Sequence, residues 1–162
     1  SYVTDFVRYV TVEDDRMPEL FDLTANLFER LADAEASLDV LEILLHHFQL
    51  QALHILGAAP TLDRCFRCGR SAGDMEKWRA VRSGEGLVCR ECRRTGEPIG
   101  VLYPGTLAVL EYIAAPGADA PKALQEARHL EQARRLVDSA VERVLDSPLK
   151  SRPMLDSVLG TD

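Results

Sequence analysis

The chain has 162 residues, 46% of them apolar and 28% charged, with a formal net charge of −7. That length suits one domain with at most a small inserted module, and the apolar share is enough for a core. No apolar run approaches the roughly 20 residues needed to span a bilayer, no secretory pattern is visible, and the acidic balance argues against a simple nucleic-acid-binding domain.

Residues 1–10 (SYVTDFVRYV) are apolar and β-branched and fit either helix or strand. Glu13, Asp14 and Asp15 read as a solvated turn or a helix start. Met17, Leu20, Phe21, Leu27, Phe28 and Leu31 recur at helical spacing, which predicts an amphipathic helix over 17–33. Ser37 is placed to cap the next helix, with Asp39 in its first turn. Leu38, Leu41, Leu44, Leu45, Phe48, Ala52, Ile55 and Leu56 line one broad face, widened by Val40, Ile43 and Leu53, so this helix is expected to be central and largely buried. Gly57 ends it and Pro60 prevents its resumption.

Short extended segments are expected at Trp78–Arg82 and Leu87–Val88, joined by a tight Gly84-Glu85-Gly86 turn. Pro98, Gly100, Pro104 and Gly105 mark a loop, and a short helix follows at about 105–115. Pro121 is placed to start a last long helix, with Leu124, Leu130, Leu136, Val137, Val141 and Leu145 in its apolar stripe and Pro148 as its end. The tail PLKSRPML is short, basic and partly apolar. The chain opens with Ser1, as a fragment of a longer protein would.

The four cysteines form two close pairs, Cys65-x2-Cys68 and Cys89-x2-Cys92, separated by twenty residues. Two such loops, joined by a hairpin, aim four sulfurs at one point. That is a closed tetrahedral site suited to one structural Zn²⁺ with no position left for water. Paired cysteines favour metal over disulfides in a reducing, cytoplasmic compartment. Gly69 permits the positive φ that turns backbone N–H groups toward sulfur. A dithiol redox pair would not need the second pair, and iron–sulfur cysteine runs differ. About thirty residues with few apolar side chains need such a staple to fold.

Residues 63–100 hold nine basic and six acidic side chains, whereas residues 1–62 hold three and eleven. Arg64, Arg67 and Arg70 surround the first cysteine pair, Arg90, Arg93 and Arg94 the second, and Lys77, Arg79 and Arg82 lie on the expected hairpin. These nine are candidate phosphate contacts. The alternative is a solvated rim with Asp63, Asp74, Glu76 and Glu91. Trp78 either stacks on a base or covers the small module. His46, His47, His54 and His129 show no catalytic pattern and read as solvated or core-edge. No phosphate loop, nucleophile elbow or H-E-x-x-H motif occurs, so no catalytic residue is assigned.

The stretch LLHHFQLQALHILGAAPTLDRCFRCGR resembles a segment of the RecO family of bacterial recombination mediators, in which a leucine-rich helix ends in Gly-x-x-Pro-x-Leu-x-x-Cys-x-x-Cys-Gly. Here those positions are Gly57, Pro60, Leu62, Cys65, Cys68 and Gly69. Leu149, Lys150, Ser151 and Arg152 are similar to the family's C-terminal Leu-Lys-Ser-Arg signature. The resemblance implies that an N-terminal OB-fold domain is missing from this chain, and that zinc is scaffolding, since some members lack the cysteines. It further implies a non-enzymatic mediator, acting in the bacterial cytoplasm at the nucleoid, that binds single- and double-stranded DNA and promotes strand annealing. With RecR it would help load RecA recombinase on DNA coated by single-strand-binding protein.

The expectation is therefore a mainly α fold, a helical domain interrupted by a four-cysteine zinc knuckle module with a short β-hairpin. Its parts are 1–62 and 98–162 for the helical domain and 63–97 for the module. Arg134 and Arg135 are candidate partner-binding residues, rimming an apolar groove for the acidic tail of single-strand-binding protein. A competing reading is a protein-interaction adaptor in which zinc braces a docking surface without DNA contact. No membrane association is expected.

Overall fold

The structure, a computed structural model, describes residues 1–11, 17–33, 37–74, 79–81, 83–97, 99–115, 120–145 and 148–160. Among these described residues six helices are joined by a small two-stranded sheet. They are α1 (Tyr2–Val10), α2 (Pro18–Asp33), α3 (Leu38–Ile55), α4 (Pro104–Ala114), α5 (Ala127–Val144) and α6 (Arg152–Leu159), with β1 (Arg79–Val81) and β2 (Ile99–Val101) between α3 and α4. Among the described residues no helix is long and apolar enough to cross a membrane.

The first segment settles as helix because Tyr2, Val3 and Phe6 share one face. All three are buried, and the Phe6 ring meets Phe48 edge-on at 5.9 Å. α3 is the central element, packed by α2, α4 and α5. The Ser37 hydroxyl accepts the Val40 N–H at 3.3 Å, the expected N-cap. At the other end Gly57 takes φ +68 and the Ala58 N–H donates to the Leu53 carbonyl at 2.7 Å, so the helix closes where the glycine allows it.

Two apolar clusters share α3 and α5. One joins α1, α2 and α3 to Ala140, Val141 and Leu149. The other joins α4 and α5 to Leu50, Ala80, Leu87 and Leu102. Four polar side chains thread the first region without being stranded. His46 bonds Gln49 Oε1 at 2.7 Å and Glu42 Oε1 at 3.3 Å, and Gln49 Nε2 donates to the Tyr2 hydroxyl at 2.9 Å. His46 and His129 are core residues rather than solvated ones, and the Thr106 hydroxyl meets His129 Nδ1 at 3.1 Å.

Three expectations need correction. Phe21 and Phe28 belong to the helical periodicity of α2 but face solvent. The strand at 79–81 pairs antiparallel with Ile99–Val101, Ala80 opposite Gly100, where the glycines and prolines predict a loop. The 87–88 segment makes a bridge from Ala80 to Leu87 on the other edge, with Val81 N–H to the Gly86 carbonyl at 3.0 Å. A strand has two hydrogen-bonding edges, and the sequence pattern gave only one partner. The last long helix begins at Ala127, after a separate 3₁₀ turn at Lys122–Gln125, and ends at Val144 rather than Pro148. The tail is helical: α6 runs into Gly160 at φ +66.

The module is sewn to the body at its glycine turn. Thr61 N–H donates to the Glu85 carbonyl at 3.0 Å, and Leu87 N–H to the Thr61 carbonyl at 2.8 Å. Gly84, at φ +80, lies against α5 so closely that a Cβ there would sit 2.4 Å from the Ser139 carbonyl oxygen. β2 lies just past residue 97, the expected end of the module, and pairs with β1 inside it.

Candidate metal centre

The first cysteine pair sits on a tight turn. Arg64 and Ser71 bridge antiparallel, Cys65 N–H donates to the Arg70 carbonyl at 2.8 Å, and Gly69 N–H donates to the Cys65 carbonyl at 2.8 Å. Gly69 takes φ +74, as expected of the residue that turns the loop. The second turn is closed by Cys92 N–H to the Cys89 carbonyl at 3.2 Å, and the two loops are stitched by Phe66 N–H to the Leu87 carbonyl at 2.9 Å.

This brings the sulfurs of Cys65, Cys68, Cys89 and Cys92 within 4.8 Å of one another, all four as free thiols. Cys68 and Cys89 sulfurs are 3.7 Å apart. A tetrahedral ion with sulfurs at about 2.3 Å has edges of about 3.8 Å, so the spacing fits a closed S₄ centre. Cys65 and Cys89 are buried with Val81 and Val88, and Cys92 is partly covered, while Cys68 is exposed. The Cys89 N–H points at the Cys65 sulfur at 3.4 Å, the kind of bond that supports a thiolate.

The thiols do not ionise alike. Burial opposes ionisation of Cys65, but backbone N–H groups of Cys89, Cys68 and Arg67 outweigh it and bring the thiol down to about 6. Hydrogen bonds to the Cys68 and Cys89 sulfurs, then burial, push Cys92 up to about 12. Burial raises Cys89 as well. Cys65 ionises readily while Cys89 and Cys92 resist joining it, and a divalent cation would offset the repulsion between neighbouring thiolates. These four residues could hold a metal ion.

The arginines separate into distinct groups. Arg64, Arg70, Arg90, Arg93 and Arg94 are exposed around the sulfur cluster. Arg64 pairs with Asp63 at 3.3 Å and Arg70 with Glu91 at 2.8 Å, both at the surface. Arg67 is different. Its guanidinium forks onto the Glu97 carboxylate, bonds the Cys92 carbonyl at 2.6 Å, and lies 4.8 Å over the Phe66 ring. It ties the first loop to the exit of the second. Arg79 is half-buried on β1, and Lys77, Trp78 and Arg82 lie outside the described residues. Glu97, which carries no motif signal in sequence, is found only through this contact.

On α5, Arg134 turns toward Glu42 at 3.9 Å, and Arg135 is exposed and pairs with Glu131. A cleft of about 600 Å³ opens between α5 and β2, lined by Val101, Leu102, Arg135, Leu136, Asp138 and Glu142 among others. Arg152, in the C-terminal motif, makes a two-pronged bond to Asp138 at 2.9 and 2.8 Å and another to Asp156 at 2.8 Å. Its role here is to fasten α6 to α5.

A family model described as "Recombination protein O C terminal" matches residues 1–153. The chain is 24% identical to a DNA repair protein RecO of Syntrophus aciditrophicus over 161 residues, 98% of this chain and 61% of that protein. It is 37% identical over 94 residues to the DNA repair protein RecO of Rhodopirellula baltica and 32% identical over 92 residues to that of Listeria monocytogenes, each match covering 57% of this chain and 33% of the relative. The chain thus spans between a third and three-fifths of the length of these relatives.

Proposed function

The chain belongs to the RecO family of DNA repair proteins, matched over that family's C-terminal region, and on that premise we propose that it is the zinc-braced part of a non-enzymatic recombination mediator. Cys65, Cys68, Cys89 and Cys92 hold one Zn²⁺. The ion, when bound, supplies stability to the 63–97 module and no chemistry. The helical parts, 1–62 and 98–162, carry the module. It presents Arg64, Arg70, Arg90, Arg93 and Arg94 to the phosphates of single- and double-stranded DNA, with Lys77, Arg79 and Arg82 as further contacts. The observation that carries this reading is the ring of exposed arginines around a centre that fits a structural metal. Arg67 serves the module's own closure and contributes less to DNA.

Family membership supports extending this reading to the whole protein, as one that anneals strands and, with RecR, loads RecA on DNA coated by single-strand-binding protein at the bacterial nucleoid in the cytoplasm. For the acidic tail of single-strand-binding protein, Arg135 is the cation among the described residues lining the α5–β2 cleft, and it would have to exchange its pairing with Glu131. Arg134 points instead at Glu42, and Asp138 and Glu142 on the same cleft oppose an acidic guest. The adaptor reading keeps support from one feature, the net charge of −7.

The test combines metal analysis with DNA affinity at two salt concentrations. One zinc per chain, and affinity that falls steeply with salt and falls further in Arg90→Ala/Arg93→Ala/Arg94→Ala, is the expected result. Each lost phosphate contact lowers the slope of log K against log salt by about 0.9. Zinc without DNA binding at low salt moves the function to protein docking.

A further inference from the structure

Helix α2 carries two apolar faces where one core needs one. Leu20 and Leu27 are buried, with Leu23 and Leu31 packed beside them. Phe21 and Phe28 are on the other side of the helix, 73% and 46% exposed. At about 100° per residue, Phe21, Ala25, Phe28 and Ala32 fall within roughly 60° of arc, and all four are exposed. They form a strip about 16 Å long. Single exposed apolar residues are ordinary, but two phenylalanines two turns apart on one line are a surface that something covers.

The border of the strip says what covers it. Asp22, Glu29 and Asp33 are exposed and lie along one edge, each one position beyond a strip residue. The helix has one cation, Arg30, on the opposite side. There it lines a crevice with Leu44, His47 and Phe48, and its charge acts on His47. Among the described residues of α2 the strip therefore has carboxylates and no cation beside it. A second copy is the wrong occupant, because an antiparallel two-fold pair of these helices would set the two acidic edges on the same side.

We infer that the outer face of α2 is a docking site for a partner protein's basic amphipathic helix. The partner's apolar residues lie along Phe21, Ala25, Phe28 and Ala32, and its lysines or arginines face Asp22, Glu29 and Asp33. Apolar contact gives the affinity, and the carboxylate edge selects against acidic helices.

The experiment uses the whole chain with zinc bound and two labelled synthetic helices of about 18 residues, long enough to stay partly helical. Both carry leucines at helical spacing. One has lysines along one edge and the other has glutamates. Fluorescence anisotropy is expected to show binding of the lysine helix only. Affinity should fall about tenfold or more in Phe21→Ser/Phe28→Ser and several-fold in Asp22→Asn/Glu29→Gln. Melting temperature is recorded for each variant. If the double variant unfolds, Phe21→Ser alone, at the more exposed position, carries the same test. Equal binding of both helices, or lysine-helix binding unchanged by the phenylalanine variants, overturns the inference. So does a dimer in sedimentation that those variants dissolve, since that would assign the face to a second copy.

Discussion

Arg67 sits between the two cysteine loops with Glu97 and the Cys92 carbonyl as partners. Its removal is expected to loosen zinc rather than abolish DNA contact. In Arg67→Ala, zinc competed by a chelator should leave faster, while DNA affinity at saturating zinc stays close to that of the unaltered chain. Loss of DNA affinity with unchanged zinc retention would return Arg67 to the phosphate-binding set. Tyr2 gives a pH test elsewhere in the molecule. Burial raises its hydroxyl above the ordinary value, against the lowering effect of the Gln49 amide and of Arg152. A raised folded-state pKa means that this stabilisation is whole below the ordinary tyrosine pKa of about 10 and is lost as pH rises through the folded value. Tyr2→Phe should therefore cost about 1–3 kcal/mol at neutral pH, by leaving Gln49 Nε2 without its partner. It should also show a shallower fall in melting temperature above about pH 10 than the unaltered chain. Equal alkaline slopes in the two proteins would contradict the assignment.

Between elements, one contact that fixes the module on the body, besides the Thr61 hydrogen bonds, is backbone against backbone at Gly84. A methyl group there meets the Ser139 carbonyl oxygen at 2.4 Å and its neighbour Ala140 N at 2.6 Å, so α5 and the turn must part. Gly96 has a similar φ, +77, but open space around it. Gly96→Ala should cost about 1–2 kcal/mol, the left-handed penalty alone. Gly84→Ala should cost clearly more and shift amide resonances on α5 near Ser139. Equal melting temperatures for the two variants would mean that the turn does not bear on α5 as described. Helices α5 and α6 are joined differently, by the Arg152 fork on Asp138. That pairing gives the Leu149-Lys150-Ser151-Arg152 motif a structural purpose that its basic composition concealed.

Across the whole molecule, the sulfur cluster stands apart from the two helical clusters. Its buried partners are Val81 and Val88, with Phe66 partly covering it, and none of these belongs to the cores built on α3 and α5. Removing zinc with a chelator at neutral pH is accordingly expected to disorder the module while the helical body keeps its far-ultraviolet circular dichroism. Amide exchange should accelerate within about residues 61–101, and Cys65→Ser should reproduce that pattern. A global loss of helix on chelation would show that the body depends on the metal. The opposite result, no change in exchange anywhere, would remove the structural role proposed for zinc.

Local chemistry was legible in the sequence wherever a property belongs to neighbours along the chain. The boundaries of α2 and α3, the Ser37 cap, the Gly57 stop and the four-cysteine set all follow from spacing and from the conformational range of single residues. The sequence also carried the RecO resemblance that the family match bears out. Other features depend on which distant segments meet. The pairing of β1 with β2, the start of α5, the helix in the tail, the Arg67–Glu97 clamp and the outward turn of Phe21 and Phe28 were decided only in the folded molecule. A phenylalanine at helical spacing reads the same whether it faces a core or a partner. An arginine beside a cysteine reads the same whether it points at a phosphate or at a carboxylate thirty residues away. Periodicity identifies a face, and packing decides what it meets.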